Sequence, residues 1–269
     1  MGIPLNSLVT VVAQLDDSFF TDRSEADCIR DNGAFCLQWV IDNFSDRYVT
    51  PTLEHLVLVG VSVGIGFLIA FGMAILSHRR RWLIPPFIGA TGILYTIPSV
   101  AFFFLLLGVT GRGKDTAIIA LTAYTLQIIY RNINAGLANV PTGAKDAGRG
   151  MGMTDRQLLW KVELPLALPE IVAGIRIATV STVAIATLAV FAGGGGLGSE
   201  IISGSNITFK TGIVVAGGIA ILMAIIFDIA LLLVQRRLSR WQSADRADRS
   251  GGGSRRGEFF RRKPAWTAQ

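Results

Sequence analysis

The sequence predicts an all-helical integral membrane protein that crosses the bilayer about five times with its N-terminus outside. Hydrophobic residues make up 51% of the chain and charged residues only 16%, and the mean hydropathy is +0.51. A soluble domain keeps roughly a quarter of its residues charged. The apolar residues also form long uninterrupted runs, where a soluble helix or strand shows short periodic ones. Finally, the charges segregate, with nine acidic and three basic residues over 1–54 and ten basic and three acidic over 236–269. A membrane sorts charge in this way because Lys and Arg stay on the cytoplasmic side. The net charge of +6 does not point to nucleic acid, since the basic excess lies in a tail and beside apolar runs, with no Arg/Lys stripe on a folded face.

Residues 1–54 read as an extracytoplasmic segment. Its run Leu8 to Leu15 has no basic flank ahead and no small-residue cleavage site after it, so no secretory signal is expected. Cys28 and Cys36, the two cysteines of the chain, lie here. In an oxidising compartment they can close a short disulfide loop, and the alternative is two free thiols. The first span, 56–76, is uncharged and long enough, at 1.5 Å per residue, to cross about 30 Å of hydrocarbon. His78, Arg79, Arg80 and Arg81 follow at once and place its C-terminal end in the cytoplasm.

The second apolar stretch, 83–109, contains Pro85, Pro86 and Pro98, each of which removes a backbone donor. One kinked span is expected, with carbonyls around Thr96 to Ser99 freed for other partners. Tyr95, Pro98 and Ser99 are therefore candidates to line a solute path, ordinary packing at the kink being the alternative. After an external turn at Gly111 to Asp115, the third span covers 116–133. Tyr124, Gln127 and Tyr130 recur on it at helical spacing, a polar edge that faces protein more readily than lipid.

From 134 to 169 the chain turns polar, giving a cytoplasmic loop too long to be a simple turn. Spans 171–191 and 212–234 follow, carrying Arg176 and Asp228. Arg176 can snorkel to the interface, whereas the shorter Asp228 needs a partner and is expected to face the protein interior. Gly193, Gly194, Gly195 and Gly196 end the fourth span, where consecutive glycines disfavour helix and favour an irregular, close-packed turn. The basic tail 238–269 has little apolar content and reads as disordered, able to touch anionic lipid.

The loop carries the functional signal. Pro141 to Ala147 leads into a short helix, Gly150 and Gly152 break it, Thr154 is an N-cap with Gln157 three residues on, and Pro165 is expected to stop a second short helix. Ala144, Ala147 and Gly148 are small enough for close approach of a partner surface, and Asp146 offers it a charge. An amphipathic hairpin lying on the membrane would be the bland alternative. The spacing is Asp146-Ala147-Gly148, three residues, Gly152, nine residues, Val162-Glu163-Leu164-Pro165. This resembles the signature of ABC-importer permeases, which has an acidic residue, two small residues, three positions, Gly, nine positions, then Ile-x-Leu-Pro. Asp stands here for Glu, Gly for the second Ala, and Val for Ile.

Further echoes narrow the likeness to permeases of osmoprotectant importers, those for glycine betaine, choline and carnitine. They are Thr96 to Ser99, Gly148 to Thr154 with Met153, Ala173 to Arg176, and Gly193 to Gly198. The resemblance spans about 55–237. It implies a permease domain whose loop is a coupling helix gripped by separate ABC ATPase subunits. An extracytoplasmic substrate-binding protein would deliver solute, and a second permease copy or a sister permease would complete the path in the bacterial cytoplasmic membrane. The coupling set is then Ala144, Asp146, Ala147, Gly148, Gly152, Met153, Val162, Leu164 and Pro165. The path set is Tyr95, Pro98, Ser99, Tyr124, Gln127, Gly193 to Gly196, and Asp228.

No cofactor is expected in the chain itself, ATP and Mg being held by the partner. Gly111-Arg112-Gly113-Lys114 is too short for a phosphate-binding loop, and no Cys/His metal spacing or nucleophile elbow occurs. Three rivals remain. One is the same machine carrying another small solute such as an amino acid. Another is an ion-coupled carrier using Arg176 and Asp228, although no inverted repeat is visible. The third is a membrane-anchored scaffold that uses the loop only to bind a cytosolic partner without transport.

Overall fold

The computed structural model describes residues 29–33 and 35–239. Cys28, the first 28 residues and the basic tail from 240 onward lie outside the described residues. Among the described residues there are ten α-helices and no strand. They are α1 (Leu37–Phe44), α2 (Thr50–Arg79), α3 (Ile84–Thr96), α4 (Ser99–Thr110), α5 (Lys114–Ala138), α6 (Thr142–Gly150), α7 (Asp155–Leu158), α8 (Leu164–Ala186), α9 (Leu197–Asn206) and α10 (Lys210–Leu238).

The first expected span forms part of a longer rod. A π-turn at Ser45–Val49 joins α1 to α2, so that Leu37–Arg79 runs helical for 43 residues. Pro51 does not interrupt it, because it falls in the first turn of α2, where its missing N–H has no partner to lose. The stretch read as one kinked span is instead two helices. Arg81–Thr96 and Ser99–Thr110 are bent by 98° at Ile97-Pro98. Ile97 is extended (φ −67°, ψ 128°) ahead of the proline, as the ring's clash with a helical predecessor requires. At 13 and 12 residues, α3 and α4 are each too short to cross alone. Pro85 and Pro86 break nothing, since they sit in the first turn of α3.

Pro165 also differs from expectation. It does not stop the second loop helix. α7, a π-turn at Leu159–Glu163, α8 and a 3-10 turn at Thr187–Ala192 make one helical run, Asp155–Ala192, of 38 residues. The π-turn shifts the hydrogen-bond register just ahead of Pro165, so the ring lies in the first turn of α8 and removes no essential donor. The helices therefore project well into the polar 134–169 stretch. A helix foreseen by no signal is α9, whose sequence LGSEIISGSN is too short and too Gly/Ser-rich to show a period.

Three described runs are long and apolar enough to span: Leu37–Arg79, Asp155–Ala192 and Lys210–Leu238; the bent pair would make a fourth. The 25-residue α5 is long enough but carries Gln127, Arg131, Asn132 and Asn134. It tolerates them because it sits at the centre, with buried residues on every side from Thr116 to Leu137, and protein rather than lipid surrounds it. Two apolar clusters stack along it. One gathers Leu58, Phe103, Leu121 and Val183; the other gathers Ala70, Ile129, Ile133, Ala167 and Ile171. The core is thus a three-helix body of α2, α5 and α8. By contrast α10 leaves Val214, Ile221, Leu222, Ile225, Ile229 and Leu233 exposed, an apolar face that calls for lipid or another protein chain.

The N-terminal segment is docked on the far end from Arg79. Trp39 stacks edge-on against Phe209 at 4.7 Å, the Asn32 amide donates to Thr208 O at 2.7 Å, and Cys36 N donates to Thr211 Oγ1 at 3.1 Å. Cys36 is disulfide-bonded.

Candidate functional site

The loop builds a compact hairpin. α6 ends in a reversal in which Met151, Gly152 and Met153 N–H groups donate to Ala147, Arg149 and Gly148 carbonyls at 3.0, 2.9 and 3.2 Å. Gly152 has φ +77°, the left-handed region that glycine enters without the β-carbon penalty. Thr154 then caps α7. Its hydroxyl accepts from Gln157 N at 3.3 Å, and its own N–H donates to Gln157 Oε1 at 2.9 Å, the reciprocal box read from the sequence. The two arms meet at Gly148. A β-carbon there would lie 2.5 Å from Leu158 Cδ1, with Met153 and Val162 closing the same spot.

The expected coupling residues therefore divide by role. Asp146, Ala147, Gly152 and Pro165 are exposed and available to a partner. Gly148 and Leu164 are buried, while Ala144, Met153 and Val162 are half-buried, so these positions hold the hairpin together. Met151 and Trp160, which the reading did not select, are 69% and 50% exposed and extend the apolar part of the outer face. Lys145 Nζ donates to Leu137 O at 3.2 Å, fastening α6 to the end of α5. Glu163, inside the motif and only 4% exposed, lies with Oε2 3.3 Å from His78 Nε2 at the end of α2. Nothing in the sequence pairs these two.

At the break between α3 and α4 the expected path residues come together. Tyr124 Oη donates to the Ile97 carbonyl at 2.5 Å, so a neighbouring helix serves a carbonyl left open where the chain breaks at the extended Ile97. Tyr95 and Phe102 each pack edge-on to the Tyr124 ring, at 5.9 and 5.7 Å. Thr91 Oγ1 donates to Gln127 Oε1 one turn further along α5. Pro98 is exposed and Ser99 half-buried beside them.

Gly193 to Gly196 lie elsewhere, at the opposite end of α8 from the hairpin. Gly193, Gly195 and Gly196 have φ between +74° and +79°, and the run forms the irregular turn that the sequence leads one to expect. It is clasped. Gly196 N donates to Glu54 Oε2 at 3.1 Å, Glu54 Oε1 meets Lys114 Nζ at 2.8 Å, and Gly113 N donates to Ala192 O at 2.9 Å. A β-carbon on Gly194 would be 2.6 Å from that of Ala117. This junction ties together the ends of α2, α5 and α8 that lie away from the hairpin, and the sequence reading missed Glu54 and Lys114. Asp228 is separate again. It accepts from Arg176 Nε and Nη2 at 2.5 and 3.2 Å, so the two charges pair with one another and Arg176 does not snorkel alone. Among the described residues no three His, Cys, Asp or Glu side chains are grouped to hold a metal.

Residues 62–240 match the family described as binding-protein-dependent transport system inner membrane component. The osmoprotectant import permease protein OsmW of Salmonella typhimurium is 38% identical over 201 residues, 71% of this chain and 91% of that protein. The choline transport system permease protein OpuBB of Bacillus subtilis is 35% identical over 189 residues, 70% and 87% of the two chains. The glycine betaine/carnitine/choline transport system permease protein OpuCD of Bacillus subtilis is 38% identical over 209 residues, 77% and 86%. Among solved structures, an inward-facing MetNI methionine ABC transporter superposes with a TM-score of 0.63 at 24% identity, covering 71% of this chain and 95% of its own. An amino acid ABC transporter gives 0.63 at 19% identity, covering 73% and 96%. At those identities the structures speak for the fold.

Proposed function

The chain belongs to the binding-protein-dependent transport system inner membrane components, and from that premise we propose that it is the permease subunit of an ATP-driven importer for a compatible solute of the glycine betaine, choline or carnitine type. It is a multi-pass protein of the cytoplasmic membrane. The solute class rests on the curated relatives, each at least 35% identical over more than two-thirds of this chain. The amino-acid alternative draws only on structures below 25% identity and is the weaker reading.

The observation that carries the mechanism is the hairpin's continuity with α8. The Asp146–Pro165 motif sits on a capped, close-packed turn that passes into a single helical run to Ala192. Two ABC ATPase subunits, holding ATP and Mg, would grip the exposed face around Asp146 and Ala147, so that their closure moves the membrane helices. This chain supplies no cofactor site in that scheme. A binding protein would deliver solute to the outer end, where Glu54, Lys114 and the glycine run meet. A second permease, identical or sister, would close the path beside Tyr95, Pro98, Ser99, Tyr124 and Gln127. Quaternary ammonium groups are held by aromatic faces, and the binding protein is where most of that selectivity would reside.

Gly152→Leu tests the coupling role. A branched side chain at φ +77° costs about 1–2 kcal/mol locally and reshapes the turn that the ATPase would grip. The variant should insert normally yet lose solute uptake and stimulation of the partner ATPase. Retained uptake would sink the importer reading, as would ATP hydrolysis by this chain alone.

A further inference from the structure

On the cytoplasmic side a cleft of about 550 Å3 opens between the end of α2 and the hairpin. Its walls carry Arg79 and Arg81 from α2 and the turn after it, Lys145 and Arg149 from α6, and Arg156 from α7. Two carboxylates face it, Asp155 and Glu163, and Glu163 is drawn back onto His78 at 3.3 Å with its Oε2 buried. Lys145 is engaged with Leu137 O and Arg149 lies 3.7 Å from Asp146. Arg79, Arg81 and Arg156 have no acidic partner among the described residues. Three guanidinium groups converging without an anion repel one another, and they offer five donors each in a planar fork suited to phosphate oxygens.

A second hollow of about 320 Å3 shares His78, Arg81 and Lys145 with the first and continues past Asn134 to Ile84, Leu137 and Ala138. The combined space is thus cationic at one end and apolar at the other. Trp82, next to Arg81 and 69% exposed, has the amphipathic ring that settles at the headgroup level of a bilayer. A free phosphate would use the first property and leave the apolar lining empty.

We propose that this cleft holds the phosphodiester headgroup of an anionic phospholipid from the inner leaflet, with its glycerol and upper acyl carbons against Ile84 and Leu137. The proposal rests on the reading that places the hairpin in the cytoplasm. The lipid would touch α6 and α7 of the hairpin and the end of α2 together, so inner-leaflet charge would bear directly on the element that couples transport to ATP.

The test is lipid retention by the purified full-length chain in detergent, measured by native mass spectrometry after exchange with phosphatidylglycerol or phosphatidylcholine. The unaltered protein should retain phosphatidylglycerol preferentially. Each cleft arginine contributes about 1 kcal/mol near a charged surface, so the double variant Arg81→Gln/Arg156→Gln should retain it about 30-fold less. Arg80→Gln, in the same basic run but outside the cleft lining, should change nothing, and Arg81→Lys/Arg156→Lys should keep most of the preference. Equal retention of the two lipids by the unaltered protein overturns the proposal without any variant. Undiminished retention in the double variant, or full displacement by millimolar inorganic phosphate, overturns it too. Unselective retention by the unaltered protein while Gly152→Leu still abolishes uptake removes the lipid site alone. Uptake unaffected by Gly152→Leu while retention stays selective removes the importer reading alone.

Discussion

Arg176 and Asp228 allow a structural role to be separated from a catalytic-coupling role in one experiment. The pair joins α8 to α10 within the apolar zone by two hydrogen bonds, 2.5 and 3.2 Å, with side-chain exposures of 30% and 35%. Asp228→Asn strands a guanidinium, and Arg176→Gln strands a carboxylate. Breaking a fully buried pair costs about 3–5 kcal/mol, and a lone charge at mid-membrane costs a similar amount on insertion scales. Partial exposure lowers the expectation here to about 2 kcal/mol for each single change. If the two costs simply added, the double variant would lose about 4 kcal/mol. A neutral Gln–Asn pair can still hydrogen-bond, so a loss nearer 1 kcal/mol is expected, a coupling of about 3 kcal/mol. The assay is equilibrium unfolding in mixed micelles for all four proteins, alongside uptake in reconstituted vesicles. Additive losses would show that the pair is not formed in the folded protein. A double variant that folds but no longer transports would mean that the charges carry coupling ions, as an ion-driven carrier requires.

Two further outcomes follow from single contacts. Tyr124→Phe removes the donor to the Ile97 carbonyl and leaves that oxygen unsatisfied at the helix break, so it should lower stability by about 1–3 kcal/mol, read as a fall in thermal midpoint in micelles; an unchanged midpoint would show that water already serves that carbonyl. Glu54→Ala frees both Gly196 N–H and Lys114 and should cost about 2 kcal/mol, whereas Glu54→Gln keeps an acceptor for Gly196 and should cost about half as much, the exposed ion pair with Lys114 adding little; equal losses would refute the backbone clasp.

What could be read from the sequence depended on how local each signal was. The spans at 56–76 and 212–234 stand out because lipid demands about twenty apolar residues in a row. The hairpin is legible because Thr154 and Gln157 are three residues apart and Gly152 is needed where it stands. The polar edge of α5 correctly indicates burial, with Tyr124 and Gln127 4% and 8% exposed. Proline was the misleading residue. Pro98 breaks the chain by far more than a kink, while Pro165 breaks nothing, and the difference lies in whether the ring falls in a first turn, which depends on a π-turn no pattern announces. Pairings over long separations were out of reach: Glu54 and Gly196 are 142 residues apart, and Arg176 and Asp228 are 52 apart. Each of these residues looks like an isolated charge or a flexible turn until the chain folds.

The fastening of α2, α5 and α8 at both ends explains how a push on the hairpin could reach the outer surface. At the cytoplasmic end Lys145 binds α5 through Leu137 O, His78 and Glu163 join α2 to the π-turn, and α7 passes into α8 without interruption. At the opposite end the same three helices converge on the glycine run through Glu54, Lys114 and Gly113. The helical run Asp155–Ala192 has 38 residues and so spans about 57 Å, enough to connect both junctions as a single lever. Helices tied at two ends and packed along their length move together, because close-packed cores pass displacement on rather than absorb it. Compliance must then lie where such ties are fewer. The α3–α4 break is such a place, held to α5 chiefly by the Tyr124 and Gln127 contacts, whereas α10 packs closely along α8 beside the Arg176–Asp228 pair. A solute path that opens and closes would therefore form between the rigid helical body and this more loosely held bent pair. That is also where Tyr95, Pro98 and Ser99 lie.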